Sequence, residues 1–173
     1  MFNPAPDGAM LDLEEIEVEL LNSLVHQMLQ LLHDPDEPES TDPLALLIGM
    51  NGPTEISDDP VLARLFPDAY PESAEDSAEF RRFTWPDLQQ QKIHHAHAVL
   101  EMLKSFPGES LISSQSLHSW LLTLNDLRLA LGTRMGLENG GEVNSSGEDI
   151  APLFGVYDWL SGLQGTLIEV LEQ

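Results

Sequence analysis

The chain has 173 residues, 42% of them hydrophobic, with 7 Lys+Arg against 30 Asp+Glu, a formal net charge of −23 and no cysteine. It is too apolar for wholesale disorder and long enough for one core burying roughly 70% of the unfolded surface. The composition excludes disulfides, thiolate nucleophiles and thiolate metal sites. It also leaves too few cations to bind nucleic acid or an anionic membrane by neutralising phosphates.

Residues 1–10 (MFNPAPDGAM) read as a disordered tail, without the basic region and apolar run of a secretory signal. Asp12, with Glu15 as capping-box partner, is expected to open a helix. Its apolar positions 16, 20, 21, 24, 25, 28, 31 and 32 make a core-facing stripe. DPDEPESTDP (34–43) has linker composition, and LALLIGM (44–50) reads as a short helix stopped by Asn51-Gly52-Pro53. Asp58 or Asp59 caps another short helix running through VLARLF to Pro67. AEDSAEFRRF (74–83) reads as a brief helix ending in Arg81 and Arg82. Thr84 then opens a separate long helix to Phe106, with Pro86 in its first turn.

Ser113 or Ser114 caps the next helix, which runs to about Met135 and is apolar nearly all round, the pattern of an element buried on most sides. Residues 136–149 read as a mobile acidic loop, and a last helix spans about 149–172. Gly155, Gly162 and Gly165 inside it each cost about 1 kcal/mol against Ala. Close approach of a neighbouring helix is the expected compensation. No segment shows period-2 alternation, so no sheet is expected. The expected fold is all-α: a single-domain bundle over 11–172, with three or four long helices and two or three short ones around a buried central helix at about 114–135. No window reaches about 18 uninterrupted apolar residues, so the cytoplasm is the expected compartment. Apolar surface left on the first or last helix is compatible with a homodimer.

Two constellations could carry chemistry. His94, His97 and Glu101 share one helical face and are a candidate metal-ligand set. The alternative is a solvated polar stripe, because one helix rarely supplies a full ligand shell. The second constellation is the arginines. All seven cations fall between Arg64 and Arg134, and Arg64, Arg81, Arg82, Arg128 and Arg134 are candidates for holding an anionic group. The competing reading is a structural ion-pair network, with Asp126, Asp68, Asp158 and Tyr157 as acceptors for a partly buried Arg128. No GxSxG, GxxxxGK[ST] or GxGxxG string is present, so no catalytic residue and no cofactor is assigned.

The strings DPVLARLFPDAYPE, EFRRFTWPDL, WLLTLNDLRLALGTRMG and YDWLSGLQGTLIEVL resemble an actinobacterial family of small cytoplasmic proteins catalogued as a domain of unknown function. The resemblance spans about residues 10–172 and is most specific in LNDLRLALGTR. It implies no catalytic residue. Members are usually encoded beside the adaptor that delivers substrates to the Clp protease, which implies a role near regulated proteolysis, and some carry a transcriptional-regulator label.

Two functional expectations result. The first is a non-enzymatic cytoplasmic protein that binds a protein partner, near Clp-dependent proteolysis. The second is a small anionic-ligand or metal-binding sensor that uses the arginines or the His94/His97/Glu101 face. Mimicry of DNA by the acidic surface is a third, minor reading.

Overall fold

The computed structural model describes residues 1–33, 52–53, 55, 57–138, 142–143 and 151–173. The expected linker 34–43 and short helix 44–50 lie outside these residues, as does most of the expected loop.

The chain opens with an antiparallel hairpin, β1 (Phe2–Ala5) and β2 (Gly8–Asp12), joined at Pro6-Asp7. A third strand, β3 (Glu109–Ser113), pairs antiparallel with β2, giving the order β1-β2-β3. Ala9, Leu11 and Leu13 alternate inward at 0%, 0% and 2% exposure, and Phe2 sets its ring edge-on to Trp120. The fold is therefore mixed, and the all-α expectation is overturned. The expected tail at 1–10 forms two strands of this sheet.

The reason is legible after the fact. Ala5-Pro6-Asp7-Gly8 is a turn string, and Ala9, Leu11 and Leu13 keep a period of two, too briefly to stand out alone. Gly8 has φ 151°, and a Cβ there would fall 2.0 Å from the Ile112 carbonyl oxygen. Only glycine allows β2 and β3 to approach so closely.

Two residues, Leu13 and Glu14, separate β2 from helix α1 (Glu15–Leu32). Its cap is Glu14, whose amide donates to the Glu17 carboxylate at 2.8 Å, rather than the expected Asp12/Glu15 pair. Asp12 is consumed by the strand. Leu21, Val25, Met28, Leu29 and Leu32 form its buried face.

Helix α2 (Pro60–Leu65) is capped by Asp59, whose carboxylate accepts from the Val61 amide at 2.7 Å, with Pro60 in the first turn as expected.

Helix α3 (Ala74–Leu103) is continuous, where two helices broken at Thr84 were expected. Pro86 lies in its interior and cannot donate to the Arg82 carbonyl. The Gly52 amide does so instead, at 3.1 Å. A Cβ on Gly52 would sit 2.7 Å and 2.9 Å from the Arg81 and Arg82 carbonyl oxygens. A backbone segment from elsewhere in the chain thus supplies the bond that proline removes, and only glycine fits the gap.

Helix α4 (Ser114–Arg134) begins at the expected cap, Ser113, and ends within a residue of the expected boundary. It packs against α1, α2, α3 and the last helix, α5 (Ala151–Leu171), as well as the sheet. Leu117, Trp120, Leu124, Leu127 and Leu131 are buried along it. A two-stranded ribbon, β4 (Leu137–Glu138) and β5 (Glu142–Val143), stands in the expected loop.

Candidate functional site

The central helix carries a polar row among its buried residues. Ser119, Thr123 and Asp126, at spacings of four and three, are 9%, 2% and 5% exposed. Lys92, one turn before the fully buried Ala96 on α3, reaches Asp126 at 2.8 Å across the α3–α4 seam. The two side chains are 15% and 7% exposed. The Lys92 ammonium also lies 5.8 Å from the centre of the Phe66 ring, which stacks on Trp85. Burial raises the Asp126 pKa above the ordinary carboxylate value, while Lys92 opposes that shift.

One turn further along α3, His95 Nδ1 meets Ser119 Oγ at 3.0 Å. The His95 ring centre lies 5.5 Å from that of His118 on α4 and 5.5 Å from that of His94. Burial first, then His118 and His94, pull the His95 pKa below the ordinary imidazole value. The seam therefore holds a buried ion pair beside an imidazole that resists protonation. It can take up a proton as the medium acidifies. Sequence reasoning missed it, although Lys92 shares a helix face with Ala96 and Val99, which marks a cation directed at the core.

The metal candidates do not assemble. His94, His97 and Glu101 are exposed. His94 faces His95, His97 faces His33 at 6.3 Å between ring centres, and Glu101 pairs with Lys104. Among the described residues no group of three or more His, Asp or Glu is arranged to hold a metal ion.

The arginines are spread over separate places. Arg81 is buried and pairs with Asp68 in the α2–α3 connection. Arg82 is half-buried, and Arg64 and Arg134 are exposed in the last turns of α2 and α4. Arg128 bridges α4 to α5. Its Nε donates to Ser161 Oγ at 2.9 Å, one terminal nitrogen to Gln164 Oε1, and the other to the Tyr157 hydroxyl at 3.4 Å. The guanidinium also lies 5.3 Å from the centre of the Tyr157 ring. Of the four acceptors expected for Arg128, only Tyr157 serves, because Asp126 and Asp68 are occupied by Lys92 and Arg81. Ser161 and Gln164 were not foreseen, yet Tyr157, Ser161 and Gln164 follow one helical face.

The described residues form five helices and a short N-terminal sheet, with Lys92–Asp126, His95–Ser119 and Arg128–Ser161 contacts made by the central helix; the sequence matches one family over residues 1–171, and the chain belongs to it. That family is described as a domain of unknown function, DUF2017. Among curated proteins, the chain is 31% identical over 170 residues to proteins of Mycobacterium tuberculosis and Mycobacterium bovis named "Oxidative stress regulator AosR", covering 90% of this chain and 78% of theirs. A Mycobacterium leprae protein that also bears the AosR name is 30% identical over the same shares. These relatives agree with the actinobacterial family to which the sequence motifs pointed. No solved structure matches. Among the described residues, no helix is long and apolar enough to cross a membrane.

Proposed function

We propose that this chain is a non-enzymatic cytoplasmic regulator that acts by binding a protein partner. The observation that carries the reading is the likeness, over 90% of the chain, to proteins named as oxidative stress regulators. The charge of −23 adds direction, since it favours a partner with a basic surface and opposes direct contact with DNA. With no cysteine in these residues, any response to oxidants within them runs through something other than a thiol–disulfide switch. A place beside Clp-dependent proteolysis is the finer form of this reading. It rests on the gene neighbourhood that the family resemblance implies.

The test is affinity capture from the host's own lysate, read by mass spectrometry, together with peroxide challenge of a strain lacking the gene. Reproducible enrichment of a specific partner and altered survival are expected. Enrichment of Clp components would select the proteolytic form. No partner together with unchanged survival would overturn the proposal.

A further inference from the structure

Three of the six histidines meet where α3 crosses α4. His94 and His95 come from α3 and His118 from α4. Neighbouring ring centres in this row are 5.5 Å apart, and each ring is edge-on to the next. His94 and His118 are exposed, so water and protons reach both ends of the row. His95, between them, is half-buried, with Nδ1 at 3.0 Å from the Ser119 hydroxyl. One turn before it on α3 stands the Lys92 ammonium, which holds the Asp126 carboxylate at 2.8 Å. Lys92 and His94 from α3, with His118 and Asp126 from α4, are the charged and titratable groups that act on His95. Helix α1, which also packs on α3, directs His33 to His97 instead.

We propose that this seam is a proton-sensitive joint: in acid, α3 and α4 part locally, because His95 takes up its proton in an open form that water enters. In the closed seam an imidazolium at position 95 faces two imidazoles and an ammonium while partly out of water. Repulsion and burial both oppose it. Asp126 attracts the proton, but Lys92 already holds that carboxylate. Parting the helices returns water to the ring and weakens the repulsion by raising the local dielectric. The low proton affinity of the closed form agrees with this geometry, burial acting first and His118 and His94 next. The open form has the higher affinity, so falling pH favours opening. Such an opening costs less than unfolding the whole chain, because the rest of the core stays packed. The inference goes beyond the partner-binding reading and holds whichever partner the protein takes, since it gives the fold itself a response to acidification.

The test is amide hydrogen exchange of the full chain at pH 7.5 and pH 5.5, read by mass spectrometry and corrected for the intrinsic pH dependence of exchange. EDTA in every buffer keeps adventitious metal off the imidazoles. Protection in peptides covering 92–99 and 117–126 should fall about three- to tenfold more than in 160–167 of α5, since each pKa unit between the open and closed forms is worth a factor of ten. His95→Asn keeps a polar group toward Ser119 but cannot titrate, so it should remove this extra fall. His118→Asn, at an exposed position, should reduce it, and His26→Asn on α1 should leave it unchanged. A fall of equal size in wild type and His95→Asn would overturn the inference. So would a loss of protection spread evenly over the chain, which reports global unfolding rather than a joint. Should His95→Asn melt well below wild type at pH 7.5, His118→Asn decides, and an unchanged fall in that variant overturns the proposal.

Discussion

Gly52→Ala probes the repair of the proline defect in α3. The new methyl would lie 2.7 Å and 2.9 Å from two backbone carbonyl oxygens, and neither can swing aside as a flexible side chain would. The segment must therefore withdraw, and the 3.1 Å bond from the Gly52 amide to the Arg82 carbonyl is lost. That carbonyl then has no donor, because residue 86 is proline. Leaving such a group unpaired away from water costs about 1–3 kcal/mol. For a chain of this size the loss corresponds to a fall of about 2–12 °C in melting temperature. Pro86→Ala restores the helix's own N–H donor, so it should stabilise the protein by itself and reduce the cost of Gly52→Ala. A double-mutant cycle by urea denaturation measures the coupling, expected at about 1 kcal/mol. Additive effects within about 0.3 kcal/mol would refute the claim that the two residues serve one hydrogen bond.

Three further outcomes are expected. Asp126→Ala should destabilise by about 3–5 kcal/mol, because it strands Lys92 at 15% side-chain exposure, whereas Lys92→Met with Asp126→Leu should recover most of the loss in denaturant titrations. Phe2→Ala should cost about 3–5 kcal/mol if the first residues belong to the core, since Phe2 is 3% exposed against Trp120; no measurable change would return residues 1–10 to the status of a tail.

The third concerns pH. The folded His95 pKa lies below its ordinary 6.5, so the unfolded chain takes up this proton first, and the stability tied to His95 is lost as pH falls through and below that value. His94, His118, Lys92 and Asp126 face this imidazole, and the raised Asp126 pKa acts in the opposite sense at lower pH, favouring the folded state as the carboxylate protonates above 3.8. Stability measured from pH 7.5 to 5.5 should therefore fall less steeply in His95→Asn than in wild type. Parallel slopes would rule out His95 as a contributor.

How much was legible in advance follows the range of the interactions. Helix ends marked by Asp59, Pro60 and Ser113 could be read directly, because a cap is a contact between residues two or three positions apart. The buried character of α4 was legible too, since an apolar helix has to be surrounded. The family was recognisable from local strings, LNDLRLALGTR above all. The sites were less so. Arginines sharing a stretch of chain were candidates for one pocket, yet they end against different partners, Asp68 for Arg81 and Tyr157, Ser161 and Gln164 for Arg128.

The amino-acid sequence by itself determined the charge, the absence of thiol chemistry, the family, and the short helix and central helix with their caps at Asp59 and Ser113. The tertiary structure alone decided the rest. β2 becomes a central strand only because β3, about a hundred residues away, comes to lie beside it. Pro86 stays inside a helix only because Gly52 folds back onto the Arg82 carbonyl. Lys92 and Asp126 find each other only where α3 crosses α4. Local rules state what a segment prefers, and a distant donor or partner worth about 1 kcal/mol or more is enough to overrule them.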